Sequence, residues 1–175
     1  MFWLKKQKIY IIGIVHSAQN NVLLQNQLNL LRKRNFDDAF LDREKVNALG
    51  VRKHLIHEIE TYKPDAIFEE SGAWEKEPGD VLKYIIKNEK TIPETFSSIP
   101  HFFVDAKKIE KEKPSIEKRE SEMVSMIKEI MRVEKFQKPI FIIGAFHLKS
   151  IDKKLKRAGF STNIKNLKIL FPFGK

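Results

Sequence analysis

Two histidines, His16 and His147, each close nearly the same phrase: Tyr10-Ile11-Ile12-Gly13-Ile14-Val15-His16 and Phe141-Ile142-Ile143-Gly144-Ala145-Phe146-His147. Two carboxylates, Glu69 and Glu70, follow a short apolar run, and a further acid, Asp105, follows Phe102-Phe103-Val104. Imidazoles and carboxylates of this kind form the ligand set of non-thiolate metal sites. They are equally a set that exchanges protons as general acid and base. Residue type and spacing leave both chemistries open. His54 and His57 sit three residues apart in a helical pattern with no third donor close in sequence, which fits an exposed helix face better than a ligand pair.

The elements that must position these residues follow from the patterning. Short continuous runs rich in isoleucine and phenylalanine suit strands buried on both faces, as in a parallel sheet. Gly13 and Gly144 then remove the side chain where each strand ends, so the backbone can turn or approach a substrate closely. If the strands are parallel, all their exits fall on the carboxyl edge, where open α/β sheets bind ligands. That expectation brings His16, Glu69 or Glu70, Asp105 and His147 to one edge.

Helical periodicity fills the intervals. Leu23, Leu24, Leu28 and Leu31 mark a first helix, which Ser17 or Asn20 would cap, and Asn35 to Asp38 interrupts it. Val46 to Tyr62 is a second pattern, ended by Lys63-Pro64. Val81, Leu82, Ile85 and Ile86 follow Gly79-Asp80 as another. Pro114-Ser115 opens a long helix to about residue 135, with a stripe of Ile116, Met123, Met126, Ile127, Ile130 and Met131. Arg119 falls on that stripe, and a buried arginine is rare unless paired, so Glu70 or Asp105 is its expected partner. The bland alternative is a frayed helix start with the guanidinium in water. Leu148, Ile151 and Leu155 mark a last helix stopped by Gly159, with a final strand expected at Leu167 to Phe171. Alternating strands and helices predict one α/β domain over residues 1–175, a mainly parallel sheet flanked by helices.

Composition narrows the function classes. A chain of 175 residues with 42% hydrophobic content builds one proper core. It has no cysteine, which excludes disulfides and thiolate zinc sites, so any metal uses His, Asp or Glu. The net charge of +10 suits nucleic acid, an acidic membrane surface or an anionic substrate. The lysines are interleaved with acids, the aromatics lie in apolar runs, and no nucleic-acid motif is present, so a solvated surface is expected and nucleic acid is not the expected partner. Lys5 and Lys6 ahead of Ile9 to Val15 imitate a signal peptide, but Gly13 breaks the run and its twin near residue 141 cannot serve that purpose. No run approaches the ~18 apolar residues of a spanning helix. A cytoplasmic protein is expected.

These residues resemble the TraB/TIKI-like superfamily, which includes erythromycin-esterase-like and ChaN-like proteins. The resemblance rests on Gly13-Ile14-Val15-His16, on Pro64-Asp65-Ala66-Ile67-Phe68-Glu69-Glu70, and on Gly144-Ala145-Phe146-His147 followed by Leu148. Val104-Asp105 is similar to the acid after the family's third strand, although Ala106 stands where an arginine often follows. Arg119-Glu120 with Met123 resembles its helix motif in altered order, and Phe36 to Leu49 departs from the pattern. The family's second-strand pattern points to Glu70, with Glu69 kept as the alternative.

What the resemblance implies is an α/β fold with the histidines and the glutamate at one site, a metal-dependent peptidase in the TIKI branch, and in other branches an esterase-like activity, haem binding or no established chemistry; a hydrolase is the reading favoured here. Its substrate would be a small molecule or a peptide. His16, Glu70 and His147 would hold a divalent metal, with Asp105 orienting or ligating and Arg119 holding an anionic group. Gly13, Gly144 and Glu69 would line the substrate. A different class of function stays open beside it, a non-catalytic binding or regulatory module that meets nucleic acid or an acidic partner through the basic surface.

Overall fold

A computed structural model describes residues 6–15, 18, 21–70, 96, 98–104 and 115–167. Five strands form a single parallel sheet: β1 (Lys8–Ile14), β2 (Ile67–Glu69), β3 (His101–Phe103), β4 (Ile140–Gly144) and β5 (Ser161–Asn166), in the order β3-β2-β4-β1-β5. The two similar phrases are the adjacent central strands, with Ile12 beside Ile142 and Ile14 beside Gly144. Helices α1 (Asn21–Lys33), α2 (Asp38–Tyr62), α3 (Ile116–Glu134) and α4 (Leu148–Arg157) complete the α/β domain.

Strand alternation sends successive side chains to opposite faces. Ile9, Ile11, Phe68, Phe141 and Ile143 pack on one side against Met123, Ile127 and Met131 of α3 and Leu148, Ile151 and Leu155 of α4. Ile12, Ile14, Ile67, Ile140 and Ile142 pack on the other against Val51, Leu55 and Ile59 in the second half of α2. The first half of α2 has a different partner. Leu41 and Ala48 meet Leu24, Leu28 and Leu31 of α1 in a separate small cluster. Gly13 faces α4 so closely that a Cβ there would stand 3.0 Å from Leu148 Cδ2 and 3.3 Å from Ala145 Cα, so the glycine lets β1 end beneath the turn that follows β4.

One boundary differs from expectation, and one strand was not expected. The second helix begins at Asp38 and not near Val46, because Asp37 caps it by accepting from the Phe40 N–H at 2.7 Å. Its first half reads weakly as a core helix because, among the described residues, its buried side chains meet α1 and not the sheet. A strand lies at Ser161–Asn166 where none was expected, and the strand expected at Leu167 to Phe171 falls, beyond Leu167, outside the described residues. As an edge strand β5 is half exposed and carries a polar sequence, so no apolar run announces it. The helical pattern after Gly79-Asp80 lies outside the described residues. Gly159 does end the α4 region, at φ +100°, a conformation that favours glycine. Among the described residues no helix is long and apolar enough to cross a membrane.

Candidate functional site

The carboxyl edge of the sheet holds a buried polar network, and alternation decides which of the two adjacent acids joins it. Glu70 follows β2 on the face of Phe68, toward α3 and α4, whereas Glu69 shares the face of Ile67. Glu69 Oε2 lies 2.9 Å from His101 Nε2 on that other face. Glu70 is wholly buried. Its Oε2 accepts the backbone N–H of Gly144 at 2.7 Å, and its Oε1 accepts Arg119 Nη2 at 2.6 Å. Arg119 therefore points inward to a carboxylate, its side chain only 14% exposed.

His147 sits in the turn between β4 and α4, and that turn is fixed by its own backbone. The His147 N–H donates to Gly144 O at 2.9 Å, and the Ala145 N–H donates to Ile14 O at 2.8 Å. The imidazole is 6% exposed, with Nδ1 2.9 Å from Glu120 Oε1 and Nε2 3.6 Å from Glu70 Oε1. Since a carboxylate accepts, Nδ1 carries the proton of the shorter contact. Ser150, one turn along α4, donates its hydroxyl to Glu120 Oε2 at 2.5 Å.

The order of contacts is thus Ser150, Glu120, His147, Glu70, Arg119. α3 and α4 both open at this edge, and the positive ends of their dipoles favour the two carboxylates beside them. Burying two carboxylates, a guanidinium and an imidazole is costly unless lone pairs and protons find partners. Each of these side chains has one here.

Glu120 enters the sequence reading only within the Arg119-Glu120 and Met123 helix motif, with no role assigned, and Ser150 does not enter it. The signal was present for Glu120: it lies four residues after Ile116 and three before Met123, an acid on the buried stripe of α3. Ser150 offered no comparable signal. His16 and Asp105, both expected at this edge, lie outside the described residues. His54 and His57 are exposed on α2, as expected. Gly144 serves the network through its N–H, and Gly13 serves the packing beneath the turn.

A metal ion is a restricted fit. Two donors bound to one ion at ~2 Å each lie within about 4 Å of one another, and His147 Nε2 and Glu70 Oε1 meet that condition at 3.6 Å. Glu120 on Nδ1 is the carboxylate partner that metal-bound histidines commonly have. Against this, the same Glu70 oxygen already takes the Arg119 guanidinium, and the described residues contain no group of three or more His, Asp or Glu donors. A third ligand would come from outside the described residues, where both His16 and Asp105 lie.

Another polar cluster lies on the opposite face of the sheet. Tyr10 donates to Glu58 Oε2 at 2.8 Å, and Lys165 donates to Glu58 Oε1. Burial pushes the Glu58 carboxyl up, but the hydrogen bonds from Lys165 and Tyr10 outweigh it and hold it below the usual range. Burial and the same carboxylate push the Tyr10 phenol well above its ordinary value. This cluster ties α2 to β1 and β5 away from the carboxyl edge.

No protein-family model matches the chain, and no curated protein or solved structure matches it.

Proposed function

We propose that the protein is a hydrolase acting on an ester or peptide carbonyl at the carboxyl edge of the sheet, as the resemblance to the TraB/TIKI-like superfamily implies. The observation that carries this reading is the Glu120 contact to His147 Nδ1 at 2.9 Å inside a closed polar network. It fixes the ring and assigns proton exchange to Nε2. In this reading Nε2 removes a proton from the attacking water as the carbon–oxygen bond forms. The same proton then passes to the leaving oxygen or nitrogen as its bond to the carbonyl carbon breaks.

Arg119 places a positive charge beside the imidazole, which favours negative charge developing on the carbonyl oxygen. Glu70 holds Arg119 and the Gly144 N–H in position. A divalent ion, when bound, would be held by His147, Glu70 and His16 and would polarise the carbonyl and activate water in place of the Nε2 base, whose lone pair the ion would occupy. We place the reaction in the cytoplasm, on a small molecule or a peptide.

The test is turnover of a panel of p-nitrophenyl esters and short peptides by the purified wild type, with and without added zinc or manganese. Hydrolysis above the buffer blank supports the reading. No turnover of any member under either condition contradicts it.

A further inference from the structure

We infer that Phe146 is a substrate-contacting wall of this site and that the substrate carries an apolar acyl or side-chain group next to the bond attacked. The inference rests on the hydrolase reading. Phe146 is 82% exposed, against 41–66% for the other exposed large apolar residues among those described, which include Leu30, Val46 and Val133 on helix surfaces. It lies between Ala145 and His147 in the turn that delivers the imidazole. Its ring meets the His147 ring edge-on, with centroids 5.4 Å apart and planes at 90°.

A large exposed aromatic is ordinary on a mobile loop, but this turn is pinned. Its backbone is bonded to Gly144 and to Ile14, and the flanking side chains of His147 and Leu148 are both buried. The ring is therefore presented at a fixed place, one residue from the proposed proton-transfer group. A rigid aromatic offers a large apolar contact at little cost in conformational freedom. A charged or strongly hydrated group gains nothing from it, whereas a hydrocarbon or aromatic group does. Phe146 is thus assigned to specificity and binding, with His147 doing the chemistry.

The experiment compares wild type, Phe146→Ala, Phe146→Leu and Ile164→Ala, the last an exposed apolar residue on β5. Calorimetric titration with octanoate and with phenylacetate reads binding without turnover, and KM for p-nitrophenyl acetate and octanoate reads it in the reaction. Wild type should bind at least one of the two acids, Phe146→Ala should weaken that binding at least fivefold, Phe146→Leu should recover part of it, and Ile164→Ala should leave it unchanged. KM should rise in Phe146→Ala for the octanoyl ester and hold within twofold for the acetyl ester. Equal affinity in wild type and Phe146→Ala, or no binding of either acid by wild type, overturns the inference. Binding that depends on Phe146 in a protein that hydrolyses no ester or peptide would keep the apolar site and remove the hydrolase. Hydrolysis indifferent to acyl length and to Phe146→Ala would do the reverse.

Discussion

His147, in the turn that opens α4, and Glu120, on α3, meet through Nδ1 and Oε1 at 2.9 Å, and the two helices start at the same edge of the sheet. That contact sets the orientation of the ring, and the Ser150 hydroxyl on the second oxygen of Glu120 sets the orientation of the carboxylate. A chain that needed only to fill this space would place apolar side chains there, since a buried ion cluster of similar volume is often no more stable than a hydrophobic one.

Glu120→Gln keeps the shape of the side chain and removes its charge. Turnover should fall by about 10²-fold or more if Glu120 orients the imidazole, because a misplaced or wrong tautomer removes most general-base assistance. Ser150→Ala should cost less, within about tenfold in kcat, since the Glu120 contact to His147 survives. Ester hydrolysis by the two variants checks both, and a Glu120→Gln enzyme as fast as wild type would remove Glu120 from the site.

Arg119→Met should destabilise the domain by about 3–5 kcal/mol, because it leaves the Glu70 carboxylate buried beside an apolar side chain. The double change Glu70→Leu with Arg119→Met should recover much of that loss while abolishing turnover. Urea unfolding of the two variants against wild type is the check. A loss below about 1 kcal/mol in Arg119→Met would mean that Glu70 does not depend on this partner.

The cluster on the opposite face makes a pH prediction. Glu58 has a folded pKa held below the usual carboxylate range, so its contribution is present above the unfolded value near ~4.3 and is lost as pH falls through the folded value. Tyr10 has a raised pKa, so its contribution is present below about pH 10 and is lost as pH rises beyond it. Glu58→Gln should therefore flatten the acid limb of the urea midpoint against pH, and Tyr10→Phe the alkaline limb. Limbs unchanged in both variants would deny the cluster this role.

Much of this architecture was legible because burial writes itself into sequence. The phrases around residues 11 and 142 are apolar throughout since both faces of the central strands are covered, and Arg119 stood out as a cation on the buried stripe of α3. The choice between Glu69 and Glu70 was not decided by residue type, because adjacent acids at a strand end differ only in which face they take. Edge strand β5 was not legible because half-exposed strands do not need apolar runs. Ser150 escaped notice since a hydroxyl on a surface-facing helix start is common, and only its distance to Glu120 gives it meaning.

If His147, Glu70 and His16 hold a divalent ion, then zinc titration should show one site in wild type, and His147→Ala, Glu70→Gln and His16→Ala should each weaken it at least tenfold. His57→Ala, on the exposed side of α2, should leave it unchanged. Equal zinc affinity in all five proteins would confine the mechanism to the side chains themselves.

The most direct measurement is the ratio of kcat/KM for wild type and His147→Ala on whichever panel substrate turns over fastest, with circular dichroism confirming that both are folded. A general base of this kind is worth about 10²–10⁴-fold, so the account predicts a ratio of at least 10². A ratio near one, in a folded His147→Ala protein, would contradict it.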